Sequence, residues 1–342
     1  MKFKQLIAGG AAAVMALSLA ACGQTVQEGD TSTDPNQELE KITICLDWTP
    51  NTNHTGLYVA QAKGYFANAG FEVEIVQPPE GGSASMCASG QAQFAVEAQD
   101  TMAASLALDE PLPITAVAAL IQHNTSGIIS RKGEGMDTPK GMENHTYATW
   151  DNPIEQAILK NVIEADGGDY SKVQLIPNNI TDEAAALKAN QVDSVWIYYA
   201  WAGINAELSG LEFDYFALRD LNPTFDYYTP VLIANNDYLA QHGDRAKAFL
   251  NAVKQGYEYA IANPEEAAQI LIDGDTTGSL KGSEELVTAS QKWLANEYKA
   301  DVEQWGYIDP ARWDGFYQWL WDNQLIAKEL PAGTGFSNDY LS

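Results

Sequence analysis

At 342 residues the chain is long enough for two domains with separate cores, although one large domain is also compatible with that length. Its net charge of −27 excludes the clustered basic surface that nucleic acid binding requires. The same charge does not point to a cationic ligand, because an acidic coat mainly keeps proteins soluble and apart.

The first segment carries Lys2 and Lys4, then an apolar run of small residues, then Leu19-Ala20-Ala21-Cys22-Gly23. An apolar run of about 15 residues is too short to span a bilayer, which takes roughly 20, and reads as a secretory leader. Its ending resembles a bacterial lipobox. That resemblance implies a leader over 1–21 and lipidation of Cys22, with an ordinary Ala-x-Ala cleavage site as the alternative. Residues 22–40 offer almost nothing to bury and read as a tether. No later stretch is long and apolar enough to span a membrane. The folded part is therefore expected outside the cell, held to the membrane by its lipid anchor. Cys45 and Cys87 are expected as lone buried thiols, although an oxidising compartment would permit their pairing.

Residues 42–66 break from a β-rich apolar run at Asp47-Trp48-Thr49-Pro50-Asn51 and resume with helical spacing. That predicts a strand, a loop and a helix. Residues 71–76 alternate as a strand, Ser83 heads a short helix, and 93–97 form another strand ending in Glu97, Gln99 and Asp100. Asp100 is expected to cap a helix over 101–108. Residues 114–122 read as a long apolar strand ending in His123-Asn124-Thr125-Ser126.

The pattern then starts afresh. Strands are expected over 127–130, 146–150, 173–176, 192–198 and 213–218. Helices are expected after Asn152-Pro153 and over 183–189, and 219–226 reads as a polar loop. Tyr227 to Ala234 reads as an extended return. Two alternations of strand and helix imply two α/β lobes, 41–126 plus 228–342 and 127–227, joined by two crossings near 126 and 228. The rest is helical, over 246–262, 265–273, 283–298 and 311–326. Trp293, Trp305, Trp313, Trp319 and Trp321 are expected to dock these helices onto the first lobe.

Three constellations sit at strand ends, where open α/β sheets hold ligands. Asp47, Trp48 and Asn51 suit a heteroaromatic ring with an amino group, while Asp47 and Asn51 also suit capping of their own turn, and His54 suits a cap or the core. Glu97 and Gln99 follow a strand, and His123 and Asn124 lie at a crossing, where they either meet a ligand or satisfy hinge amides. In the second lobe Trp150, Trp196, Tyr198, Tyr199, Asp220 and Tyr227 could line the facing wall. Alternation places Trp196 and Tyr198 on one sheet face and Tyr199 on the other, so at least half are expected in the core. Glu97, Glu183 and Asp220 could bind a metal, but nothing selects a metal site or a cofactor. No nucleophile elbow, metal-cysteine pair, His-Glu-x-x-His stretch or phosphate-binding glycine loop is present.

The stretch LDWTPNTNHTGLYVAQAKGYF resembles the opening of substrate-binding proteins that serve ABC importers of thiamine pyrimidine precursors, a group similar in fold to the yeast-type thiamine pyrimidine synthases. AALIQHNTSGIIS, YATWDNPIEQAIL, VDSVWIYYAWAGINAEL and GYIDPARWDGFYQWL extend the resemblance over roughly 41–328. It implies an α/β fold of the type II periplasmic-binding-protein-like kind, with two lobes and a double-crossing hinge. It also implies a small heteroaromatic ligand, an aminopyrimidine such as a formylated aminomethyl pyrimidine, and an ABC permease with its ATPase as partners of a monomeric binding protein. The synthases in the group look like enzymes that use the counterpart of His54 with pyridoxal phosphate and a cysteine-rich motif, which this chain lacks. One departure is Ala202, where a YWNWEGI-like stretch carries an acid. Its loss keeps riboflavin-like and other heteroaromatic solutes open.

Overall fold

The computed structural model describes residues 38–341. The leader, Cys22 and the tether as far as residue 37 lie outside the described residues. Among the described residues no helix is long and apolar enough to cross a membrane.

The strands in chain order are β1 (Glu40–Cys45), β2 (Phe71–Val76), β3 (Phe94–Glu97), β4 (Ile114–Ala119), β5 (Ser126–Arg131), β6 (Thr146–Thr149), β7 (Gln174–Pro177), β8 (Ser194–Tyr198), β9 (Phe213–Ala217) and β10 (Val231–Asn235). They form two five-stranded sheets, ordered β2-β1-β3-β10-β4 and β7-β6-β8-β5-β9. β3 and β10 are buried at every position, as central strands covered on both faces must be. In each sheet one strand is reversed: β10 runs antiparallel to β3 and β4, and β5 runs antiparallel to β8 and β9. The protein is thus a two-lobed α/β fold, one lobe per sheet.

This topology fixes where a ligand can be held. The first crossing leaves the end of β4 and enters the start of β5, and the second leaves the end of β9 and enters the start of β10. The carboxyl ends of the forward strands in both sheets therefore face the same seam. The loops after β1, β3, β6 and β8 open onto it.

Several helix boundaries differ from the sequence expectation. The helix after β3 runs Gln99–Leu106, so Asp100 sits in its first turn rather than at the cap, which is Ala98. The expected loop over 219–226 holds a short helix, Leu218–Leu221, and a 3-10 turn, Pro223–Phe225. Helices Gly243–Ala262 and Pro264–Gly274 lie close to expectation, whereas Glu284–Leu294 stops before Tyr298. The last helix, Pro310–Asp322, stops short of Ile326 because Gln324 adopts a left-handed φ of 59° and the Leu325 amide turns back to the Leu320 carbonyl.

The tryptophans dock these helices in a different way from the one expected. Trp305 and Trp313 are fully buried in the core, and Trp321 is exposed. Trp319 instead meets Phe225 of the second crossing edge-on at 5.0 Å, and Trp293 meets Tyr199 of the second lobe at 5.4 Å. The last helix therefore braces the crossing as well as the first lobe. Cys45 and Cys87 are both buried free thiols, and burial pushes the Cys45 thiol up to about 11.

Helix Thr55–Ala62, which carries the opening loop, is set by its close approach to helix Gly243–Ala262. A Cβ on Gly256 would lie 2.0 Å from the Gly56 carbonyl oxygen, and one on Gly56 would enter the Tyr257 ring. Gly256→Ala is expected to push the helices apart and lower stability by about 1–3 kcal/mol in a urea titration, the range for overpacking a filled interface.

Candidate functional site

The first wall begins with the loop after β1. Asn51 caps the 3-10 turn Thr52–His54: its Oδ1 accepts the Asn53 amide at 2.9 Å and its Nδ2 donates to the Thr49 carbonyl at 3.0 Å. The Asn51 amide donates to His54 Nδ1 at 3.2 Å. His54 must then carry its proton on Nε2, which donates to Asp47 Oδ1 at 2.7 Å. His54 is fully buried with both nitrogens used, and both amide atoms of Asn51 are spent on its own turn. These two candidates thus position the loop and leave Asp47 and Trp48 to face outward. Trp48 is 70% exposed, an unusual state for an indole.

At the end of β3, Glu97 accepts the Ala98 amide and the Ser83 hydroxyl, each at 2.9 Å. Burial raises its pKa, those two bonds oppose the rise, and the charges of Asp47 and Asp100 add to it. Asp100 is raised as well, chiefly by burial, against bonds from its own and the Thr101 amides. Three carboxyl groups therefore converge on the seam. Gln99 does not join them. It is fully buried, its Nε2 donates to the Trp313 carbonyl at 3.0 Å and its Oε1 accepts the Tyr228 amide at 2.9 Å, so it ties the sheet to the second crossing.

The second wall is built on β6 and β8. Glu155 organises the loop after β6: it accepts the Tyr147 hydroxyl at 2.5 Å, the Thr149 hydroxyl at 2.9 Å and the Trp150 amide at 3.1 Å, while Asn152 caps the helix that Glu155 sits on. Trp150 is left half exposed, 6.2 Å from the Trp196 ring. Tyr198 is also partly exposed, bonds Thr229 of the second crossing, and lies near enough to Asp100 and Asp47 for their charges to raise its pKa beyond the effect of burial. The two walls therefore meet around Asp47, Asp100 and Tyr198.

Trp196 lies buried beneath this wall, 4% exposed, on the sheet face that carries Tyr198. Other second-lobe candidates go elsewhere. Tyr199 points to the opposite sheet face, bonds Glu207 and, with Asp220, lines a separate cavity of about 250 Å³ beside Tyr215, Arg219 and Trp293. Ala202 packs in an apolar cluster with Leu187, Val195 and Ala206, so the missing acid leaves no gap in the wall formed by Trp150 and Tyr198. Glu97, Glu183 and Asp220 are not gathered, and among the described residues no group of three side chains is suited to a metal ion.

The two crossings are braced to each other. Asp226 of the second accepts His123 Nδ1 at 2.7 Å and the Asn124 amide at 2.8 Å, and Arg312 stands 3.6 Å away. His123 Nε2 faces Asp301 at 3.1 Å. Asn124 is fully buried, donating to the Phe225 carbonyl and accepting the Ser126 amide. Tyr227 is buried, stacked on Phe316 at 4.1 Å and bonded to Asn124. His123 and Asn124, for which the sequence left ligand contact and hinge support both open, and Tyr227, offered as a ligand contact, have polar groups already partnered at the crossings. Glu155 was missed. Its signal is the spacing of Asn152 and Glu155, a capping box read only as a helix start.

A family model described as NMT1/THI5 like matches residues 51–267. Over 328 residues the chain is 29% identical to a formylaminopyrimidine-binding protein of Halalkalibacterium halodurans, covering 94% of this chain and 95% of that protein. It is 24% identical over 257 residues to a 4-amino-5-hydroxymethyl-2-methylpyrimidine phosphate synthase of Saccharomyces cerevisiae, covering 68% and 71% of the two chains. Among solved structures, the ligand-binding component of an ABC-type import system from Staphylococcus aureus superimposes with a TM-score of 0.62 at 17% identity, covering 87% of this chain and 96% of that one. At that identity the likeness speaks for the fold alone.

The hinge brace makes stability depend on pH. The bond to Asp226 is the main cause that raises the His123 pKa, with desolvation opposing it. A raised folded value means the contribution is complete below the unfolded imidazole value of about 6.5 and is lost as pH rises through the folded value. His123→Asn is expected to cost on the order of 1 kcal/mol near pH 6 and to flatten that loss, read by urea unfolding at pH values on both sides of neutrality.

Proposed function

The chain belongs to the NMT1/THI5-like family, and from that premise we propose that it is the extracytoplasmic solute-binding component of an ABC importer, capturing a thiamine pyrimidine precursor or a similar aminopyrimidine. The observation that carries this reading is the seam around Trp48. An exposed indole follows Asp47, whose one oxygen is fixed by His54 and whose charge reaches Tyr198 of the second lobe, and both Tyr198 and Trp150 are themselves exposed at strand ends. Flat faces from both lobes suit a ring, and carboxylates on one side suit its amino group. The near full-length likeness to a formylaminopyrimidine-binding protein supports the same ligand class.

In this reading 41–126 with 228–342 forms the first lobe and 127–227 the second, and the lobes close on the ligand about the His123–Asp226 brace. Cys22 is the lipid attachment point, the ABC permease and its ATPase receive the ligand, and the binding protein acts as a monomer. Synthesis is the poorer reading although relatives carry that name. His54 is sealed with both nitrogens engaged, and Cys45 and Cys87 are buried free thiols.

A thermal-shift screen of the mature protein against aminopyrimidines, thiamine, riboflavin, sugars and amino acids tests the reading. An aminopyrimidine at a hundred times its Kd is expected to add about 2.7 kcal/mol of stability. A shift from a sugar or amino acid, with none from any heteroaromatic, would overturn it. Trp48→Ala is expected to abolish the ligand-induced shift while the unliganded melting temperature stays put, because the indole it removes is packed against little. An unchanged affinity by calorimetry would remove Trp48 from the site.

A further inference from the structure

Two buried hydrogen-bonding groups lie on the sheet face that carries Tyr198. Ser126 opens β5 and is paired in register with Tyr198, so the two side chains share a face, and Trp196, two residues earlier on β8, shares it as well. Ser126 is 0% and Trp196 4% exposed. Neither the Ser126 Oγ nor the Trp196 Nε1 finds a hydrogen-bond partner within the protein. Both are enclosed where the second wall meets the seam, with the ring of Trp150 against that of Trp196. Buried polar groups are almost always paired, so two orphans on one face beside the exposed aromatics mark a place that expects an occupant.

Their chemistry complements the opposite wall. The first lobe contributes carboxyl groups, Asp47, Glu97 and Asp100, which receive hydrogen bonds when ionised. An indole N–H can only donate, and a serine hydroxyl with no other partner is free to donate. We propose that Ser126 and Trp196 form a donor subsite that reads a hydrogen-bond acceptor of the ligand, an amide carbonyl oxygen or an unprotonated ring nitrogen, at the end opposite its amino group. This rests on the heteroaromatic reading of the seam and sharpens it. The ligand is a flat heterocycle with donors at one end and an acceptor at the other, and a purely cationic amine fits the second wall poorly. The donors sit on β5 and β8, whereas the absent acid at Ala202 belongs to the layer behind, so recognition in this chain does not depend on that acid.

The test uses two probes that differ only at this end: an aminopyrimidine bearing an N-formylaminomethyl group and the same molecule with a free aminomethyl group. Calorimetry on the mature wild-type protein is expected to favour the formylated probe by roughly tenfold or more, the worth of one to two hydrogen bonds to otherwise unpaired donors. Ser126→Ala is expected to remove most of that preference and leave the affinity for the free amine unchanged. In case Ser126→Ala or Trp196→Phe folds poorly, the wild-type protein provides its own readout: the Trp196 indole N–H resonance should move downfield when the formylated probe is added. If the wild type binds both probes equally, or Ser126→Ala keeps the full preference and the indole resonance does not move, the donor subsite is overturned and the aminopyrimidine reading stands. If the wild type binds neither probe, the aminopyrimidine reading fails first and takes the subsite with it.

Discussion

Both ring nitrogens of His123 face carboxylate oxygens, Asp226 at 2.7 Å and Asp301 at 3.1 Å, and a neutral imidazole can donate to only one of them. The arrangement therefore calls for an imidazolium, with Arg312 sharing the acid of Asp226. This small charge network joins the first crossing, the second crossing and the C-terminal segment in one place. Among the described residues the lobes are covalently joined by those two crossings, and this network ties the crossings together. Around it the apolar packing follows: Tyr227 stacks on Phe316, Phe225 meets Trp319 edge-on, and Tyr228 lies under Arg312.

The bracing of the crossings uses up polar groups beside the seam. The groups that would most readily grip a polar ligand near the crossings, Gln99, His123, Asn124 and Tyr227, are consumed in holding the crossings together. The groups left free lie farther out, on strand-end loops that are themselves held by buried partners. His54 holds Asp47 and Glu155 holds the Trp150 amide. In both loops a buried side chain satisfies backbone or carboxylate groups so that an exposed aromatic can stand free. That is preorganisation, and it lowers the ordering cost a ligand has to meet.

The fold class was legible because alternation and glycine or proline breaks report strands and helices directly, and the restart of the pattern after Ser126 reports a second sheet. The first-wall loop was legible in outline, since Asp47 and Trp48 follow a strand without a core position to fill. The division of labour was not. Sequence spacing cannot distinguish an Asn51 that meets a ligand from one that caps its own turn, or a Gln99 in the seam from one bonded to Trp313 some two hundred positions away. Tyr198 and Tyr199 were separable by alternation alone. The destination of Tyr199, a cavity shared with Trp293, depended on a helix packing that no local pattern encodes. The placement of Ala202 was illegible for the same reason. Its motif position suggested the seam, while the π-helical turn Tyr199–Gly203 rotates it into the apolar layer.

That turn also ties the second wall to the first. Ser290 donates its hydroxyl proton to the Ala200 carbonyl, so its contact with Thr52 at 2.7 Å requires Thr52 to be the donor there. The Tyr298 hydroxyl in turn bonds the Thr52 carbonyl. Thr52 opens the same 3-10 turn that carries His54, so hydrogen bonds tie the stretch after β8 to the turn that supports Asp47. Docking of the lobes and the posture of the first-wall carboxylate are therefore coupled through protein groups alone. A ligand need not create this arrangement of the lobes. It has only to bind the arrangement in which these bonds exist more tightly than one in which they are broken, and its differential contacts with the two walls set how far the population moves.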